Sequence, residues 1–314
     1  MTLSLPKTSV EFALLEWEQI AKFYSELQAR DVGADSIDQW LADWTELSRL
    51  INETGQRLYV ATSVNTADVD AEKRLFYFLE HINPPAESAE QKLREKLLAT
   101  HLDIAGFEIP LRNMRAQMEQ FREENLKLFT DERKLENEYN KVIGSQTVNW
   151  QDKEITVTQL RPVYYNPDRA LREKAWRLAS ARQLADRDAI NKLWGQFMDL
   201  RKQQALNADC PDYREFRWKQ LLRFDYTPHN CAQFHDAIEQ AVVPAAERIY
   251  ARRRKQLGLE TLRPWDLDVD PSGLPPLRPY QDTSELISKT SGIFNQLDPR
   301  LGEYFDIMRK ENLL

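Results

Sequence analysis

The sequence predicts a mainly α protein with one short β-rich stretch, and three observations carry that reading. Only 9 of the 314 residues are glycine, under half the usual share, so tight hairpins have few sites while long helices meet no obstacle. Apolar residues recur at three- and four-residue spacing through most of the chain, the period of a helix with one buried face. Alternation at a period of two is confined to residues 147–165.

The elements follow in order. Thr8 and Glu11 form a capping box before Phe12, Leu15, Ile20 and Tyr24, predicting one helix. Ser36 and Gln39 repeat the box before Ile37, Trp40, Leu41, Trp44, Leu47 and Ile51. Trp40 and Trp44 stand one turn apart, as in an aromatic ligand cage, but such pairs more often fill a seam between helices. A third helix is expected from Thr66 to His81, stopped by Pro84-Pro85, and a fourth from Glu87 to His101. The charged text from Leu111 to Gly144 reads as helix, with a break near Thr130-Asp131 and a stop at Gly144. Residues 147–165 read as a hairpin or an extended crossing.

Asn166-Pro167 supplies a cap and a first-turn proline for a long helix or a pair broken near Asp186. Thr227-Pro228 repeats that signal before a helix through Phe234, Ile238, Val242, Ile249 and Leu257, closing at Gly258. Residues 259–283 hold five of the 15 prolines, which excludes helix, yet Trp265, Leu267, Val269, Leu274 and Leu277 make them too apolar for a solvated tether. A helix then starts near Asp282, carrying Leu286, Ile287, Ile293, Phe294 and Leu297, and a last short one runs on to Leu313-Leu314. That last helix has no closing cap, which reads as a chain cut off.

Composition narrows function by exclusion. The 43 Lys+Arg against 50 Asp+Glu give a net charge of −7 with the signs interspersed, which lacks the footprint of nucleic-acid or anionic-membrane binding. The run Arg252 to Lys255 reads as a solvated helical stripe. Cys210 and Cys231 lie apart among polar neighbours, so no redox pair or cysteine metal site is indicated and the compartment reads as reducing and cytoplasmic. No apolar run approaches the length of a membrane span, and the first residues lack the apolar core of a secretion signal. Of the four histidines, His229 and His235 are six apart, about 120° around a helix, a poor chelate. His81 and His101 sit at expected helix ends. Nucleophile elbows, phosphate loops and dinucleotide fingerprints are absent from the sequence. Taken alone, the residues offer no catalytic, cofactor-binding or metal site.

Two strings are more specific. RFDYTP (Arg223 to Pro228) and LRPWDLDVDPSGLPPLRPY (Leu262 to Tyr280) resemble the oligoendopeptidase F type of zinc metallopeptidase, relatives of thimet oligopeptidase. WLADWTELSRLINE, QLRPVYYNPDRALREKAW, the text from Cys231 to Leu259 and the closing DPRLGEYFDIM are similar to it too, so the resemblance covers essentially the whole chain. It implies a two-lobed helical peptidase in which zinc, held by an HExxH helix and a further glutamate, cleaves short peptides. It also implies that residues 1–205 form a helical N-terminal domain and 206–314 begin a zincin-type catalytic domain. HExxH does not occur in the chain, so the resemblance implies the N-terminal half of such an enzyme, inactive alone and binding no zinc itself. Arg223, Tyr226, Trp265 and Asp266 stand out within the matching strings, as parts either of a cleft or of a core network. The alternative is a naturally short, non-enzymatic helical protein that binds peptides or a partner. A plain helical scaffold is a third reading. The sequence leaves cleavage preference and oligomeric state open. A half-enzyme would leave an apolar patch exposed, whereas a complete short protein would cover it.

Overall fold

The computed structural model describes residues 3–102 and 104–311. It is mainly α. The chain divides into two compact units, residues 1–159 with 178–245, and residues 160–177 with 246–314.

The first unit opens with α1 (Ser9–Phe12) and α2 (Trp17–Ala29), where one helix was expected. Thr8 caps α1 by accepting from the Glu11 N–H, but Glu11 reaches past Thr8 to the Lys7 N–H at 2.9 Å. Glu16 then starts α2 afresh, its N–H donating to Gln19 Oε1 at 3.0 Å. The helix α3 (Ile37–Val64) begins where expected, but not through a Ser36–Gln39 box. Ser36 Oγ instead accepts from the Gly33 N–H at 3.0 Å, and Gln39 Nε2 donates to Asp43 Oδ1 at 2.9 Å.

Pro84-Pro85 does not stop a helix. The helix α4 (Val69–Tyr77), capped by Asp68, widens into a π-turn (Phe78–Ile82) and continues as α5 (Asn83–Ala99). A proline in a helix removes one N–H and crowds the carbonyl four residues back. One wide turn relieves the crowding: the Asn83 N–H reaches back five residues to the Phe78 carbonyl. Pro84 has no N–H to return to the Leu79 carbonyl, and Thr130 Oγ1 donates to it instead at 2.8 Å.

Thr130 accordingly lies buried inside α7 (Glu124–Gly144), and the expected break there falls instead at residues 121–123, after α6 (Glu108–Gln120). The core of this unit gathers Phe12, Ile20, Leu27, Trp40, Leu47 and Leu93. Trp40 and Trp44 pack at 5.1 Å as seam residues, with indole N–H groups donating to the Leu27 carbonyl and to Glu90 Oε2. Tyr24 and Ser48 also donate to Glu90, joining α2, α3 and α5 through one carboxylate.

The β-rich stretch is shorter than expected. Strands β1 (Thr147–Trp150) and β2 (Lys153–Thr156) form an antiparallel hairpin with Val148 opposite Ile155, turned by Gln151 and Asp152, both at positive φ. Two successive left-handed residues match the right-handed twist of the strands. Residues 157–165 then coil into a 3₁₀ helix around Pro162, which cannot donate to a ladder.

Asp168, not Asn166, caps α8 (Arg169–Ala185), its Oδ1 accepting from the Ala170 N–H at 2.9 Å. Asp186 separates α8 from α9 (Arg187–Asn207) as expected. The helix α10 (Tyr213–Gln220) follows, and Cys210 packs beside Phe216 in a small apolar cluster rather than among polar groups. Thr227 caps α11 (Pro228–Ala237). A second π-turn (Ile238–Val242) precedes α12 (Val243–Gln256), again with proline, Pro244, at its second position. Gly258 takes the positive φ that ends this run.

In the second unit, α13 (Thr283–Leu297) is capped by Asp282 and α14 (Pro299–Lys310) by Asp298. They meet at Gly302, where a Cβ would fall 2.2 Å from Asn295 Oδ1. Phe294 and Phe305 pack with tilted rings, 58° apart, across the same junction at 5.3 Å. The expected continuation to Leu313 and Leu314 lies outside the described residues.

The apolar faces expected on the later helices are not covered. Among the described residues, α11, the second π-turn, α12 and α13 bury none. In the first unit Phe234, Val242 and Val243 stand exposed. In the second, Ile249, Leu274, Ile293, Leu297 and Tyr304 do so, and Leu277 is 94% exposed.

Candidate functional site: the Trp265–Asp266 network

Helix α8 carries Arg169, Arg172 and Trp176 at i, i+3 and i+7, which is one face of a helix. The proline-rich segment supplies the other half of the site. Pro264 opens a single 3₁₀ turn (Pro264–Asp266), and that turn buries Trp265 and Asp266 together.

Asp266 is fully buried and accepts four hydrogen bonds. Arg169 grips it with Nε on Oδ1 and Nη2 on Oδ2, both at 2.9 Å; Arg172 Nη2 donates to Oδ1 at 3.1 Å, and the Arg263 N–H to Oδ2 at 2.9 Å. Burial alone would raise this carboxyl, but the donors from Arg169, the Arg263 backbone and Arg172 together hold it below the usual carboxylate range. An acid held so firmly ionised is a poor proton shuttle and a good anchor.

Arg172 is buried as deeply, and its remaining N–H groups bind the carbonyls of Trp265 at 2.7 Å, Asn166 at 2.8 Å and Pro167 at 3.0 Å. Arg253 departs from the expected solvated stripe: its Nε donates to the Asp266 carbonyl at 2.9 Å and its Nη2 to that of Val269. The indole of Trp265 packs against Trp176 at 5.3 Å, with the guanidinium carbons of Arg177 and Arg169 at 5.1 and 5.8 Å from its ring centre.

Of the four residues singled out in the sequence, Trp265 and Asp266 therefore belong to one network. Arg223 and Tyr226 belong to another, in the first unit. Arg223 lies over the rings of Trp218 at 4.8 Å and Tyr226 at 5.9 Å, and Trp218 donates its indole N–H to the Tyr226 carbonyl at 3.3 Å. Sequence reasoning missed Arg169, Arg172, Trp176 and Arg253. The signal for the first three was the spacing R-x-x-R-x-x-x-W inside QLRPVYYNPDRALREKAW.

All four histidines are exposed. Among the described residues no group of three or more His, Cys, Asp or Glu side chains is placed to hold a metal ion, so the donors present do not fit a zinc site. No helix among the described residues is long and apolar enough to cross a membrane.

Residues 163–297 match the model of Peptidase family M3. The span contains both RFDYTP and RPWDLDVDP, so the resemblance carried by those strings holds. The fold is shared with solved structures across nearly the whole chain. A structure titled PZ peptidase A with inhibitor 2 superposes with a TM-score of 0.84 at 20% identity, over 100% of this chain and 55% of that one. A protein described as an oligoendopeptidase F from Bacillus anthracis str. Ames gives 0.84 at 18%, over 94% of this chain and 55% of that one. Oligoendopeptidase-F from Enterococcus faecium gives 0.62 at 12%, over 92% and 64%. No curated protein sequence matches the chain. The chain thus spans a little over half the length of the first two of these relatives.

Proposed function

From this peptidase relationship we propose that the chain is the N-terminal portion of a zinc-dependent oligoendopeptidase that hydrolyses short peptides in the cytoplasm. Residues 1–205 make its helical domain and residues 206–314 begin its catalytic domain. The observation that carries the reading is a shared fold over 94–100% of this chain that accounts for only 55% of two larger proteins, one titled a peptidase and the other an oligoendopeptidase F. The M3 match at residues 163–297 supports the same chemistry.

The exposed apolar side chains support it as well. Leu274, Leu277, Ile293, Leu297 and Tyr304 would each lose unfavourable contact with water against a further segment of chain, at about 25 cal/mol per Å² covered. On this reading the chain contributes scaffold and cleft wall, and zinc and the groups that work with it reside outside these 314 residues. The chain alone binds no zinc and does not hydrolyse peptides.

The test compares zinc content and cleavage of a quenched fluorescent peptide for this chain and for the product of the uninterrupted reading frame. Zinc and turnover in the longer product alone are expected. Stoichiometric zinc with chelator-sensitive cleavage by the 314-residue chain would overturn the half-enzyme reading. A reading frame that ends at Leu314 and yields neither would favour the short, non-enzymatic binding protein.

A further inference from the structure

A groove of about 550 Å³ opens beside the Trp265–Asp266 network, lined by Arg169, Trp176, Arg177, Arg263 and Trp265 with Glu173. Three guanidinium groups face one lining carboxylate. Arg177 is paired with Glu173 at 2.8 Å and Arg169 with Asp266, but Arg263 is exposed and its guanidinium carries no hydrogen bond or ion pair among the described residues. The indole N–H of Trp265 is buried and finds no acceptor there either. Buried donors are nearly always paired, and each exception asks for a partner.

The chemistry of the lining narrows that partner. Guanidinium forks match the planar geometry of a carboxylate. The half-buried indole of Trp176, set at 55° to that of Trp265, offers a flat apolar wall to whatever carries the acid. The volume lies within the range of small-ligand sites. We propose that this groove binds a carboxylate borne beside an aromatic or bulky apolar group, the chemistry of a peptide's C-terminal residue or of a small aromatic acid. The site lies wholly within residues 160–177 and 246–314 and needs no metal. Binding there is read without metal or turnover, so its failure and the failure of the peptidase reading are told apart.

The test follows the indole N–H resonances of the ¹⁵N-labelled 314-residue chain during titration, with the Trp265 signal assigned by its loss in Trp265→Phe. The probes are Ala-Ala-Phe, its C-terminal amide, 3-phenylpropanoate and inorganic phosphate. Ala-Ala-Phe is expected to shift the Trp265 signal saturably, and its amide to bind about tenfold more weakly, since it lacks the charge that the guanidinium groups hold. Arg263→Gln, at an exposed side chain with no partner to lose, is expected to weaken the acid about tenfold and the amide hardly at all. Tighter binding of the tripeptide than of 3-phenylpropanoate would mark a peptide terminus as the natural source, and equal binding a small acid. Equal affinity for acid and amide, phosphate binding as tight as Ala-Ala-Phe, or an Arg263→Gln titration like the wild type would each overturn the proposal.

Discussion

Replacing Asp266 with alanine tests whether the network holds the second unit together. The carboxylate is fully buried and accepts from Arg169, Arg172 and the Arg263 N–H. Arg169 is 40% exposed, so its guanidinium rehydrates once freed and adds little to the cost. Arg172 is 2% exposed and cannot. Removing one partner of a buried pair costs about 3–5 kcal/mol. The three carbonyls that Arg172 keeps place this case at the low end, about 3 kcal/mol, close to a 100-fold change in a local opening equilibrium. The assay is amide hydrogen exchange, with residues 40–51 of the first unit as an internal reference. Protection across residues 160–177 and 262–270 should fall about 100-fold in Asp266→Ala while the reference amides keep theirs. Unchanged protection at residues 160–177, or an equal loss in both units, would refute the reasoning.

Other consequences can be measured alongside. Asp266 titrates below its unfolded value, so its contribution is complete at neutral pH and is lost as pH falls through the folded value, below about pH 4. Protection at 160–177 should therefore collapse in acid in the wild type, and Asp266→Asn should flatten that dependence. Thr130→Val leaves the Leu79 carbonyl without its donor in a buried setting. It should lower the stability of the first unit by about 1–2 kcal/mol in urea titration, whereas Thr130→Ser should not. Tyr24→Phe removes one of three donors to Glu90 and should cost about 1.5 kcal/mol in the same titration. Leu277→Ser, at a side chain 94% exposed, should leave the melting temperature within a degree or so and reduce binding of a hydrophobic dye, because it subtracts apolar surface without touching a core.

Much of the fold is legible where a local signal decides the local structure. Gly144, Asp186, Thr227-Pro228 and Asp282 each mark an end that the structure places at that residue. The signals that failed have their answer elsewhere in the chain. Thr130 looks like a helix break because its hydroxyl competes for backbone, yet it spends that hydroxyl on Leu79, 51 residues away. Pro84-Pro85 looks like a stop, and one wide turn makes it a continuation. The candidate site divides the same way. Trp265 and Asp266 are conspicuous in a proline-rich string, but the arginines that hold them sit 97 and 94 residues away in sequence. A helix-spaced arginine pair by itself is indistinguishable from a solvated face.

The two wide turns have a consequence for how this chain tolerates length changes. A π-turn is an α-helix with one residue too many, and here each surplus is tied to a proline two positions past the turn, Pro84 in one case and Pro244 in the other. Deleting a residue from 78–82 would restore an even helix and drive Pro84 against the carbonyl four before it. Replacing Pro84 with alanine would leave the extra residue only Pro85 to accommodate. The deletion is offset only when both prolines are replaced along with it. An insertion and a substitution that look independent in the linear text are thus one unit of variation, and Thr130, whose hydroxyl serves the carbonyl that the proline abandons, is the third member of that unit.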